Sequence, residues 1–137
     1  MQVDNLEPLY TACIAKLRNA EQQGLQAYDT MLQKAQHPEL RQALEKHRTE
    51  TEQQFQRLEQ ITQLSGGATM QVDDEIMPTM LRESQKMQAM IANDELSDVS
   101  LIAGAQIGEH YQIAAYGTAA AHTARAAGRP PAPSTNA

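Results

Sequence analysis

Cysteine is almost missing from this chain: Cys13 is the single one in 137 residues, so no disulfide framework can support the fold. A cytoplasmic, reducing setting is the expectation that follows, with Cys13 acting as a small buried hydrophobe. Tryptophan is absent and phenylalanine occurs once, which leaves Leu, Ile, Met, Ala and Tyr to build the core. That is a helical composition. No segment approaches the roughly 18 consecutive apolar residues of a membrane span, and Asp4 and Glu7 break any apolar run that could serve as a signal sequence. The sequence therefore predicts a protein without a membrane partner. Basic residues are also scarce: 11 Lys and Arg stand against 17 Asp and Glu, a net charge of −6, and no basic run could track a phosphate backbone. Nucleic acid is excluded as the main partner. Alternating strand patterns and internal repeats of fixed period are both lacking.

What remains is helical periodicity, which predicts an all-α chain. An apolar stripe from Leu6 to Ala35 runs through Leu9, Tyr10, Ile14, Leu17, Leu25, Tyr28 and Met31 at spacings of three and four, and defines a long first helix. Pro38 and Glu39 suit the first turn of a second helix, which runs to about Leu64 and is ended by Ser65-Gly66-Gly67. A shorter third helix is expected from about Asp74 to Ala92, with Ile76, Met77, Met80, Leu81, Met87, Met90 and Ile91 on its inner side as plain core. Asn93 or Asp94 caps a fourth helix from about Glu95 to Ala127. Residues 1–127 thus form one helical bundle domain, and 128–137, GRPPAPSTNA, read as a flexible proline-rich tail.

The chemistry lies in carboxylates that interrupt these stripes. Reading positions 102, 105, 106, 109, 113, 116 and 120 as the inner face of the fourth helix puts Glu109 where a core residue belongs. Glu21 lies between Leu17 and Leu25 on the first helix, in register with Ile14 and Tyr28. The second helix replaces apolar residues at its middle with His47, Glu50, Thr51 and Gln54. Each long helix therefore carries a carboxylate near its midpoint, and antiparallel packing would bring the three to one level, as in dimetal carboxylate sites of helical bundles. Iron, manganese or zinc would suit such ligands. The alternative is that each glutamate sits at the edge of its face and reaches water. His47 has two readings as well, a ligand or a core histidine bonded to Glu50 one turn away. His110 follows Glu109 and points about 100° away from it, next to the site or on the surface. Tyr111 and Tyr116 could hydrogen-bond a carboxylate or simply pack. Gly104 and Gly108 cost roughly 1 kcal/mol each relative to alanine, which implies close approach of another helix.

The segment LIAGAQIGEHYQIAAYGT, residues 101–118, resembles the signature of the YciE/YciF-type ferritin-like proteins, a bacterial stress-associated family. Ala20-Glu21-x-Gln23 and the stretch from His47 through Glu50-Thr51 to Arg57-Leu58 agree with it. The resemblance covers roughly residues 6 to 128 and implies a ferritin-like antiparallel helical bundle of three long helices and a shorter third one. It also implies Glu21, Glu50 and Glu109 as metal ligands, tuned by His47, Gln54 or His110. Gln54 stands where the family often has histidine, Gln112 where it usually has glutamate, and no Glu-x-x-His occurs. Relatives continue into a further long helix, whereas this chain ends in GRPPAPSTNA, so a homodimer covering the vacant face is expected.

Two functions compete at this stage. One is a ferritin-like metal-binding protein, with an iron, manganese or zinc site completed by a second subunit. The other is a metal-free helical module acting through self-association. Catalysis at a dimetal centre needs most of its usual six or so protein ligands, and three good ones are present, so an enzyme is the lesser expectation.

Overall fold

The computed structural model describes residues 3–64 and 71–126. Four helices follow one another: α1 (Leu6–Lys34), α2 (Pro38–Leu64), α3 (Ile76–Ala89) and α4 (Asp94–Ala126). Among the described residues there is no strand. The expected glycine cap at Ser65-Gly66-Gly67 and the tail at 128–137 lie outside the described residues.

Local chemistry sets the helix ends. Asn5 caps α1 by accepting from the Glu7 backbone N–H, and Ala35 turns extended just past its last residue. Pro38 opens α2, where a missing N–H costs nothing. Asn93 caps α4 by accepting from Leu96 N at 2.9 Å. At the start of α3, Asp74 Oδ2 accepts from Met77 N at 2.7 Å. That bond makes α3 shorter than the predicted 74–92, because Asp74 holds the helix from outside instead of joining it.

Across the short turn at 35–37, α1 and α2 form an antiparallel hairpin. Asp98, near the start of α4, accepts from the backbone N–H groups of Gln36 at 2.9 Å and His37 at 2.8 Å. The top of α4 is thereby fixed to the end of α1, and α4 runs down α1 in the same direction as α2. The central helix is α1, which packs against each of the other three; α3 leans mainly on α4, and α2 has α1 as its only substantial neighbour.

The core is divided along its length. One cluster joins Tyr28, Met31, Ala35, Leu44 and Leu101; the other joins Ile14, Leu17, Leu58 and Ala119. Full burial of each leucine contributes roughly 1.5–3 kcal/mol. Between the clusters, at the level of Glu21, Gly24 and Thr51, the interior turns polar. Arg18 pairs with Glu59 and Arg48 with Asp29 across the α1–α2 seam.

Three expectations are corrected. The inner face of α4 is Leu101, Ala105, Gly108, Gln112, Ala115 and Ala119, one position away from the predicted face, and Ile102, Gln106 and Ile113 are exposed. The α3 stripe is not plain core: Met77 is buried, but Ile76 and Met87 are exposed and Met90 is 72% exposed. Cys13 is half-buried, beside the α1–α4 groove. Of the two α4 glycines, Gly104 does meet a neighbour, since a Cβ there would lie 2.7 Å from Ser84 Oγ of α3, while Gly108 faces open space.

Candidate metal centre

The carboxylate level is built around Tyr28. Its phenol, on the inner face of α1, is pushed up to about 12 by burial and then by the charges of Glu109, Glu21 and Glu50, with Thr51 opposing. The charges of glutamates on three helices thus act on this one phenol. A cleft of about 360 Å³ between α2 and α4 opens onto it, lined by Tyr28, His47, Glu50, Gln54, Glu109 and Gln112 among others.

The three carboxylates are not equivalent. Glu21 is completely buried, and burial raises its carboxyl to about 7. Oε1 accepts from Gln112 Nε2 at 2.6 Å. Oε2 has no partner among the described residues, and neither does the buried hydroxyl of Tyr116. Tyr116 is raised by burial and then by the charge of Glu21. Two orphaned polar atoms thus share one interior region, which a water or a cation would satisfy.

Glu109 and Glu50 lie at the rim instead, with side chains 40% and 47% exposed. The predicted core position of Glu109 is therefore an edge position, because Gln112 takes the inward place three residues later. His47 Nδ1 stands 2.9 Å from Glu109 Oε1 and 3.3 Å from Glu50 Oε2, and its ring lies nearly parallel to that of Tyr28. His47 is the bridge between α2 and α4: the expected contact with Glu50 one turn away is present, but at a half-exposed position and not in the core. Gln54 lines the cleft. His110 is exposed and away from it. Among the described residues no three His, Cys, Asp or Glu side chains converge as a ligand shell for one ion. His47 instead holds Glu50 and Glu109 at the rim, and Gln112 holds one oxygen of Glu21 in the interior.

Sequence reasoning missed a second polar centre. Asp74 is buried at the α1–α3–α4 junction, where the Tyr111 hydroxyl donates to Oδ1 and Lys16 Nζ stands 3.8 Å away. Asn19 Oδ1 accepts from Asp74 N at 2.8 Å, and Gln23 donates to Asp74 O. The Tyr111 phenol is raised by burial and by Asp74. The spacing of Asp74 and Met77, that of a helix cap, was the available signal.

A family model described as Domain of unknown function (DUF892) matches residues 5–135. Protein YciF of Escherichia coli (strain K12) is 27% identical over 121 residues, 88% of this chain and 73% of its own length. Among solved structures, YcfI from Rhodopseudomonas palustris, provisionally described as a structural protein, is similar with a TM-score of 0.86 and 31% identity, over 93% of this chain and 80% of that one.

Proposed function

The protein belongs to the DUF892 family and is of the YciE/YciF type, and on that premise we propose that it is a ferritin-like protein that binds a metal ion at the carboxylate level between α1, α2 and α4. The observation that carries this reading is Oε2 of fully buried Glu21, which has no partner among the described residues, with its charge felt by the Tyr116 hydroxyl, likewise without a partner among them. An uncompensated carboxylate in the interior is costly, and a cation compensates it. Glu50 and Glu109 would turn inward from His47 to complete the set, with iron, manganese or zinc as the ion. Bound metal would supply Lewis acidity or, for iron, redox chemistry. The stress-associated, cytoplasmic setting that the family resemblance implies belongs to this reading.

A second copy of the chain closes the groove in this proposal. Above the polar cleft the groove widens to about 740 Å³ beside Leu40, Ala43, Val99 and Ile102, and below it Ile113 is 68% exposed. Exposed apolar side chains on both sides of the polar cleft favour association.

The Gln112–Glu21 hydrogen bond favours a second reading, a metal-free helical module that acts through the same groove. Calorimetric titration of chelator-treated protein with Mn²⁺ and Zn²⁺ separates the two. Saturable binding weakened at least tenfold in Glu21→Gln supports the metal site; no binding, or binding indifferent to Glu21→Gln and Glu109→Gln, leaves the module. Light scattering decides the dimer: a monomer at all concentrations removes it.

A further inference from the structure

On the side of α1 and α4 away from the carboxylates, α3 leaves a separate cavity. The inner positions of α3, spaced by four, three and four residues, are Met77, Leu81, Ser84 and Gln88, so the stripe changes from apolar to polar halfway along. Opposite Ser84 the facing residues are Ala27 and Gly104, both small. Small residues on one wall and a short hydroxyl on the other leave space that leucines would fill. The resulting cavity is about 180 Å³, with apolar walls from Ala27, Met31, Leu81 and Leu101 and a polar side that includes Thr30 and Lys34, and beside it lies a smaller recess of about 30 Å³ next to Met77 and Met80.

Its polar groups are unequally committed. Gln88 is tied to Ser97 by two hydrogen bonds, Nε2 to the Ser97 carbonyl at 3.0 Å and Ser97 Oγ to Oε1 at 2.8 Å, so it forms a fixed end wall. Ser84 makes no hydrogen bond among the described residues, and its hydroxyl lines the cavity close to Gly104.

We propose that this cavity is a binding site for a single-ring aromatic molecule bearing one hydroxyl, with the ring among Ala27, Met31, Leu81 and Leu101 and the hydroxyl on Ser84 Oγ. Size selects the ring number: an apolar cavity of about 150 Å³ accepts benzene, and drug-sized ligands need about 300 Å³ or more. The thioether of Met31, which lines the cavity, favours aromatic over aliphatic character, because sulfur contacts the ring favourably. Ser84 selects a ligand with a hydrogen-bonding group, which satisfies a hydroxyl the protein leaves free. The site shares no side chain with the carboxylate level except Tyr28 and Gln112 at the margin of the recess.

Phenol, benzene and indole, each titrated into the whole protein and followed by the methionine methyl resonances, test this. Saturable shifts of Met31 and Met77 with phenol are expected, weaker by about threefold or more with benzene and absent with the two-ring indole. Ser84→Ala should erase the phenol–benzene difference while keeping benzene binding. Ser84→Leu, which fills the space, should weaken both at least tenfold with helicity retained; if it unfolds the protein, the alanine variant alone decides. Non-saturating shifts with phenol, or phenol affinity unchanged in Ser84→Ala, would overturn the proposal.

Discussion

Gln112 of α4 reaches across to α1 and donates to Glu21 Oε1 at 2.6 Å. Within the described residues this amide is the one hydrogen-bond donor to a carboxylate that is fully buried. The link joins the two helices at the break between the apolar clusters, where packing alone contributes least.

Removing the donor should therefore cost more than an average hydrogen bond. Gln112→Ala leaves Glu21 wholly unpartnered, and a loss of about 1–3 kcal/mol is expected in urea unfolding. Glu21→Gln, which keeps the shape without the charge, should be neutral or stabilising at pH 8. A destabilised Glu21→Gln would contradict this account.

The carboxyl of Glu21, raised to about 7, gives a defined pH dependence. The folded state holds the proton more tightly than the unfolded one, so ionisation favours unfolding. Stability from this group is intact below about 4.5, declines as pH rises to about 7, and levels off above it. The stability difference between wild type and Glu21→Gln should move by up to about 3 kcal/mol in favour of the variant across that interval. A difference independent of pH would remove the assignment. If the metal reading holds, Mn²⁺ should reduce the difference at pH 8.

Asp98 fixes α4 to the α1–α2 turn through two backbone donors. Asp98→Ala is expected to cost about 1–2 kcal/mol, as loss of a capping carboxylate does. Asp98→Asn, which keeps an acceptor, should lose less. Equal losses in the two would show that the charge matters more than the bonds.

Tyr111→Phe strips the hydroxyl from Asp74 and leaves Met77 N and distant Lys16 to compensate it. A cost of about 1–3 kcal/mol is expected by thermal or urea denaturation. Tyr10→Phe serves as the control, since Tyr10 packs beside the lower cluster; a comparable loss there would count against a special role for Asp74.

Ile113→Lys tests the proposed association, because this side chain is 68% exposed at the mouth of the cleft. Helicity should be unchanged, while the dimer weakens by tenfold or more in sedimentation analysis. A dimer that survives the substitution would place the interface elsewhere.

The limits of the sequence are visible in α4. Leu6, Pro38 and Asn93 carry strong end signals, and the starts of α1, α2 and α4 fall at or next to the predicted residues. The facing of α4 was harder to read, because Leu101, Ile102, Ile107 and Ile113 point around a helix rich in Ala and Gly, and no single stripe dominates. Packing chose the flatter side, with Leu101, Gly104, Ala105 and Ala115 against its neighbours, and this turned Glu109 to the rim. Glu21 was legible because its neighbours Leu17, Ala20, Ala27 and Tyr28 form an unambiguous stripe. Asp74 was not, since its burial depends on Lys16, Asn19 and Tyr111 meeting from two other helices.

The uneven distribution of neighbours around α2 has a dynamic consequence. A helix held mainly by one partner can leave as a unit while the rest of the molecule stays folded. Such an opening would separate Arg18 from Glu59, Arg48 from Asp29 and His47 from Glu109, yet preserve the α1–α3–α4 contacts and the Asp74 network. Amide exchange in the native state should accordingly show α2 released at a lower free energy than α1 and α4, as a hinged flap over a three-helix body. The carboxylate level would then be reachable from solvent on each opening, without global unfolding.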